Sequence, residues 1–372
     1  MRRTMIKILF FIENLSSGGA EKVLRTLVNN MDQSRFDITV MTVWPEDAQK
    51  YLKQGIHYKS LYARKNRVNH LRYRAEAALN LAYPLHIRGD YDIEVAYLEC
   101  GSTKIMAGST NRKAKKLAWV HCDLKKKQAD PEAFVRTSRN WYKAFHKIVC
   151  VSENVRDSFI ALFGNDPEVT VLYNTVDDDE IREKANAAVS AEKSGFTIVG
   201  VGRLCEQKGY DRLLSAHKSL VDAGCRHDLW ILGEGPDRMK LEQLIADYGI
   251  SDSVKLWGFQ ENPYPIMQTA DLLVCSSRYE GFSTFVTEGL ILGKPVVTTD
   301  CTGMRELLGN SEYGLITENS TDGIYQGLKK LLANRNLLVH YENRARERGG
   351  DFRKDKLVRQ TEDFFMDLLG AK

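Results

Sequence analysis

Short apolar runs recur along the chain, separated by longer amphipathic or polar stretches. In the first half the runs are Lys7–Asn14, Asp37–Trp44, Ile93–Leu98, Leu117–His121, Lys147–Ser152 and Val169–Leu172. In the second half they are Phe196–Arg203, Leu229–Gly233, Val254–Phe259, Leu272–Cys275, Pro295–Thr299 and Gly314–Thr317. Runs of this length read as buried strands, and the segment Thr284–Leu292 between two of them reads as a helix. Strands alternating with helices twice over predict an α/β chain of two doubly wound, Rossmann-like domains built on parallel sheets. The expected boundaries are a first domain over 1–177, a linker over 178–194, a second domain over 195–350 and a terminal helix over 351–372. The linker assignment follows from DDDEIREKANAAVSAEKS, which is polar and poor in bulky apolar residues. In the last segment Leu357, Thr361, Phe364, Phe365 and Leu368 fall near helical spacing, so one face is apolar. The architecture repeats between the halves, but no sequence repeat does.

A length of 372 residues suits two domains, and an apolar content of 43% is globular. No stretch approaches the roughly 20 apolar residues of a membrane span. The start MRRTMIKILFFIEN is basic and then apolar, but Lys7 and Glu13 interrupt it, so it reads as a first strand rather than a signal peptide. The seven cysteines show no C-x-x-C spacing, which favours a reducing cytoplasm and no zinc site. The net charge of +4 hides an asymmetry: residues 59–147 carry 19 Lys+Arg and 8 Asp+Glu, or +11, leaving −7 elsewhere. A basic half points to an anionic partner. No nucleic-acid-binding pattern accompanies it, so the expected partner is an anionic membrane surface; a solvated lysine-rich face is the alternative. Within 64–88, cations at Arg64, Lys65, Arg67, Arg72 and Arg74 accompany Leu71, Ala75, Ala78, Ala82 and Leu85, which step by three or four as one helical stripe.

Several glycine-punctuated loops follow strands. Gly18-Gly19-Ala20-Glu21, after Ser16-Ser17, permits a tight turn and close ligand approach, but it is not a dinucleotide fingerprint. Gly202-Arg203 and Lys208 place two cations five residues apart on a second such loop. Arg offers a planar fork and Lys a mobile point charge, a pairing suited to clamping a departing diphosphate. Gly233-Glu-Gly-Pro236 makes a third turn. Glu280 and Glu288 flank the start of the 284–292 helix, where Gly281, Phe282, Ser283 and Thr284 offer backbone N–H groups to anionic oxygens. His121 ends a strand of the first half and so faces the expected crevice. Asp123 stands two residues on, an awkward spacing for orienting the imidazole. Trp257 reads as core; Ser152 and Asn174 read as holders of loop backbone.

The stretch Glu280, Gly281, Phe282, Glu288, Gly293, Pro295, Val296, Val297, Asp300 resembles the donor-site signature of retaining glycosyltransferases of family four, which have the GT-B fold. Ser283 stands where that family often has Pro, and a helix N-terminus accepts Ser readily. Gly-Arg-Leu-x-x-x-Lys-Gly at 202–209, Trp-x-His-x-Asp at 119–123 and Gly-Gly-Ala-Glu at 18–21 follow the family's order over nearly the whole chain. The resemblance implies two domains facing a cleft, with the last helix crossing back to the first domain. It implies that Gly18 and Gly19 lie near the donor diphosphate, Gly233 by the nucleotide and Phe259 on the base. Glu288 would bind ribose, Glu280 the donor sugar, and His121 the transferred sugar, with Arg203 and Lys208 replacing a metal at the diphosphate.

The implied function is a retaining, metal-independent glycosyltransferase. It would move a sugar from a UDP-sugar to a saccharide acceptor that is lipid-linked, in surface-polysaccharide synthesis. The catalytic set is His121, Arg203, Lys208 and Glu280. No cofactor is expected, since the nucleotide sugar is a substrate. The expected place is the cytoplasm, peripheral on the inner face of the plasma membrane. The alternatives are a sugar-nucleotide epimerase of the same fold and a non-catalytic sugar-binding subunit.

Overall fold

The structure, a computed structural model, describes residues 5–15, 18–188 and 193–370. It divides into two compact units: Met1–Thr175 with Asp355–Lys372, and Val176–Lys354. Part of the 178–194 segment and the Ser16-Ser17 start of the glycine loop lie outside the described residues.

The first unit carries β1 (Ile6–Phe11), β2 (Phe36–Thr42), β3 (His57–Ser60), β4 (Ile93–Ala96), β5 (Lys115–Val120), β6 (Lys147–Cys150) and β7 (Glu168–Val171). They form one sheet in the order β3-β2-β1-β4-β5-β6-β7, and every pairing is parallel, with Ile8 opposite both Ile38 and Ile93. The second unit carries β8 (Thr197–Val201), β9 (Asp228–Leu232), β10 (Val254–Gly258), β11 (Leu272–Cys275), β12 (Val296–Thr299) and β13 (Leu315–Thr317). Their order is β10-β9-β8-β11-β12-β13, again all parallel. Parallel strands need crossover helices, which cover both faces. That is why Ile8–Phe11 is buried without alternation. In each sheet the winding reverses at one place, between β1 and β4 and between β8 and β11. The crevice outside the carboxyl ends of such strands is where doubly wound sheets take ligands.

The helix Lys354–Leu368 begins at the end of the second unit and packs on the first. Phe365 is fully buried, edge-on to Phe10 at 6.0 Å and Phe36 at 6.5 Å. Glu362 accepts the Asp32 N–H at 2.6 Å.

Two expectations are corrected, and one strand is added. The 178–194 segment is not an open linker, because Asp178–Ala185 is a helix of the second unit with Ile181 and Ala185 buried. Its N-cap Asp177 accepts from Glu180 N at 3.1 Å. Acidic residues in a first turn are stabilised by the helix dipole, so its run of charge marks a helix start. Strand β3 leaves no apolar run in the sequence, because HYKS is short and half exposed at a sheet edge. The single stripe over 64–88 is broken: the helix Arg67–Ala78 ends, Asn80 adopts φ 57°, and a separate helix spans Ala82–His86.

Candidate active site

The second unit builds its site at the reversal between β8 and β11. The loop after β8 runs through Gly202 and Arg203 into the short turn Glu206–Lys208. Its neighbour after β9 begins at Gly233, at φ 139°, where a β-carbon would overlap the Gly202 carbonyl. Gly202 N donates to Leu232 O at 3.0 Å and Leu204 N to Glu234 O at 2.9 Å, tying the two loops together. Lys208 is thereby aimed at the end of β11. Its Nζ donates to Glu280 Oε1 at 2.7 Å, and Ser277 Oγ donates to the same oxygen at 2.6 Å. Ser276 Oγ donates to the Lys208 carbonyl at 2.8 Å. Burial works against the Lys208 charge, but Glu280 outweighs it and the ammonium is held above its ordinary value. An ammonium has three donors, so the one given to Glu280 leaves two for another anion.

The helix Thr284–Ile291 follows. Ser283 caps it, its Oγ accepting from Val286 N at 3.4 Å. Gly281, Phe282 and Ser283 are buried and Thr284 is half-buried. Phe282 packs edge-on to Phe352 at 6.1 Å. Glu288 is buried in the same helix and accepts from Tyr264 OH at 3.2 Å. Arg203 is exposed, with no ion-pair partner among the described residues. The two cations expected as a clamp are therefore held differently, Lys208 on Glu280 and Arg203 in solvent. Phe259 projects beyond β10 with 69% of its surface exposed.

In the first unit Gly18, at φ 135°, precedes the helix Gly19–Asn30. A β-carbon there would collide with the Glu21 carboxylate, which folds back over the turn. Burial pushes the Glu21 carboxyl up to about 7, and Glu46 and Glu99 add to the push. His121 lies just beyond β5, its ring centroid 4.9 Å from that of Tyr97. Its Nε2 is buried and has no hydrogen-bond partner among the described residues. Burial holds the imidazole down to about 4, so it is neutral at physiological pH.

One residue that local sequence does not single out organises this loop. Glu99, 3% exposed beyond β4, accepts from His121 N at 2.9 Å, Cys122 Sγ at 3.0 Å and Lys127 Nζ at 2.8 Å. Burial would raise its carboxyl, but Lys127 and His121 hold it down to about 2. Asp123 instead caps the next turn, Oδ1 accepting from Lys125 N at 3.1 Å and Ser158 Oγ at 2.6 Å. The available signal for Glu99 was a lone carboxylate at a strand's carboxyl end. Ser152 caps the helix Glu153–Phe163 by accepting from Val155 N at 3.2 Å, in keeping with a structural role. All seven cysteines are free thiols.

Two Rossmann-like units, one with a cation–carboxylate pair at its sheet's reversal point, place that pair where doubly wound sheets take ligands. A family profile described as Glycosyltransferase Family 4 matches residues 17–180, and one described as Glycosyl transferases group 1 matches 181–348. The chain belongs to this glycosyltransferase family, with the GT-B architecture. It is 37% identical, over 54% of its length, to the N-acetylgalactosamine-N,N'-diacetylbacillosaminyl-diphospho-undecaprenol 4-alpha-N-acetylgalactosaminyltransferase of Campylobacter jejuni, of which 53% is covered. It is 24% identical, over 63% of its length, to the lipopolysaccharide core biosynthesis glycosyltransferase LpsE of Rhizobium meliloti, with 67% of that protein covered. The chain thus spans about half the length of the first relative and about two thirds of the second. Among solved structures, Anabaena HepE in complex with UDP and glucose matches with a TM-score of 0.76 at 18% identity, covering 97% of this chain and 99% of that one. Sucrose-phosphate synthase from Thermosynechococcus elongatus matches with a TM-score of 0.81 at 15% identity, covering 99% and 100%. These likenesses establish the fold.

Proposed function

We propose that this protein is a retaining, metal-independent glycosyltransferase that moves a hexose or N-acetylhexosamine from a UDP-sugar to a lipid-linked saccharide, working peripherally at the anionic inner face of the plasma membrane. The observation that carries the donor half is the Lys208–Glu280–Ser277 cluster at the carboxyl ends of β8 and β11. Lys208 has two donors left for diphosphate oxygens, and exposed Arg203 adds a second cation without a metal. Glu280 takes sugar hydroxyls and Glu288 the ribose. In a retaining transfer the acceptor hydroxyl attacks the anomeric carbon from the face the diphosphate leaves. The sugar–phosphate bond breaks as the glycosidic bond forms, and the acceptor's proton passes to the departing diphosphate. His121, kept neutral by burial, contacts the sugar without opposing its developing positive charge. The UDP in the HepE complexes favours that nucleotide, and the diphospho-undecaprenol in the Campylobacter relative's name favours a polyprenyl-diphosphate saccharide.

The test is incubation with individual UDP-sugars and short saccharides on polyprenyl diphosphate, in excess EDTA, with mass spectrometry for product and NMR for the anomeric configuration. A product that keeps the donor's configuration is expected. Inversion, or activity that needs added Mg²⁺, would overturn the mechanism. Epimerised free nucleotide sugar formed without acceptor would replace the transferase with an epimerase.

A further inference from the structure

The buried carboxylate of Glu99 takes no part in the proposed transfer chemistry, yet it closes the loop that carries His121. In the register of β4 and β5 Ala96 lies opposite Ala118, and three residues further along each chain come Glu99 and His121. Both strands have ended by then. Glu99 Oε2 accepts the His121 N–H at 2.9 Å, in the place of a strand carbonyl. Oε1 accepts from Lys127 Nζ at 2.8 Å, the other end of the loop, and from Cys122 Sγ at 3.0 Å. Asp123 braces the middle, its Oδ1 accepting from Lys125 N at 3.1 Å and its carbonyl from Lys127 N at 2.9 Å. One side chain thus clasps both ends of the loop 121–127.

The His121 ring is held from its other side. Tyr97, itself buried, sets its ring 4.9 Å from the imidazole, and the Tyr97 backbone bonds the imidazole. Nε2 has no partner among the described residues, so the bonded nitrogen is Nδ1. It donates to the carbonyl and leaves Nε2 as the lone-pair acceptor of a neutral ring. The orphan backbone N–H of His121 needs only a neutral acceptor. A full charge buried at 3% exposure is a costly way to supply one, and it requires Lys127 as counter-ion. We infer that Glu99 is a positioning residue of the transfer reaction: its carboxylate, locked by Lys127, fixes the His121 loop so that Nε2 accepts from a hydroxyl of the transferred sugar. Without that charge the two ends of the loop part, and the imidazole shifts against a bound sugar. The inference rests on the reading that His121 contacts that sugar, and it names the group that sets the contact.

Glu99→Gln in the full chain tests it, because the amide keeps an acceptor for the His121 N–H and loses only the charge. With the UDP-sugar that supports turnover, kcat should fall about tenfold or more, as for a misplaced contact. The Kd of UDP, which carries no sugar to transfer, should stay within about twofold. In a His121→Ala background the same change should cost almost nothing further in kcat, because both act through one contact. With nitrogen-labelled histidine, the His121 Nε2 signal, assigned by its loss in His121→Ala, should be that of an unprotonated nitrogen. It should move on adding the UDP-sugar but not UDP, and move less in Glu99→Gln. A merely structural clasp would lower stability with kcat per folded molecule unchanged, or lower kcat by the same factor in both backgrounds; either result overturns the inference. So does a wild-type ring protonated at Nε2. A loss of kcat in His121→Ala with none in Glu99→Gln would overturn the positioning role and leave the sugar contact standing. No loss in His121→Ala would overturn the contact, and the positioning role with it.

Discussion

Lys208 Nζ sits 2.7 Å from Glu280 Oε1, although 72 residues separate them. The contact joins the ends of two adjacent strands, so the cation and the carboxylate are positioned together by the sheet. Their side chains are 21% and 9% exposed, and Ser277 supports the carboxylate.

Lys208→Ala should therefore lose both catalysis and some stability, whereas exposed Arg203→Ala should lose catalysis alone. Removing a preorganised charge contact costs on the order of 3 kcal/mol, about a hundredfold in kcat. Steady-state rates beside urea melts separate the two. Near-normal turnover in the double variant would sink the diphosphate assignment.

Glu288→Ala should raise the Kd of UDP and UDP-sugar alike, because ribose is common to both. Glu280→Ala should weaken the intact donor more than UDP. Titration calorimetry on both ligands decides it, and the opposite order would exchange the two roles.

The Glu99–Lys127 pair in the first unit should respond asymmetrically. Glu99 is 3% exposed by side chain and Lys127 37%. Lys127→Met strands a carboxylate that water cannot reach, a loss of roughly 3 kcal/mol. Glu99→Gln leaves an ammonium that can swing toward solvent, so about 1 kcal/mol is expected. Equal denaturation midpoints would mean that the loop relaxes to admit water at Glu99.

His217 Nδ1 and His227 Nε2 lie 2.8 Å apart in the core of the second unit, with Ser253 Oγ 2.8 Å from His217 Nε2. Burial first, and His227 second, hold His217 down to about 3 from an ordinary 6.5. As pH falls below 6.5 the unfolded chain takes up a proton that the folded one refuses. Stability falls across that window, by ~1 kcal/mol between about pH 7.5 and 5.5. Urea melts at the two pH values measure it, and His217→Phe should reduce the difference, leaving the part due to His227, which burial also holds down.

The strands of both sheets were legible because a parallel sheet buried on both faces demands unbroken apolar runs. Leu272–Cys275 and Pro295–Thr299 could hardly be anything else. The capped helix between them was equally plain, since Ser283 and the apolar turn after it are local signals. Edge strand β3 and the 178–185 helix were not, because HYKS buries too little to leave a pattern and Asp177–Glu180 looks like a solvated run until its capping geometry is seen.

Local sequence determined the alternation of elements and the glycine loops at strand ends, since strand burial, turn conformation and capping are decided within a few residues. Tertiary structure alone decided which carboxylate serves which partner: Glu280 with Lys208, and Glu99 rather than the nearer Asp123 with the His121 backbone N–H. It also decided that Val68, Leu71 and Leu79 face water. A side chain's partners and exposure depend on which strand ends the winding brings side by side, and residues 72 positions apart carry no local trace of that.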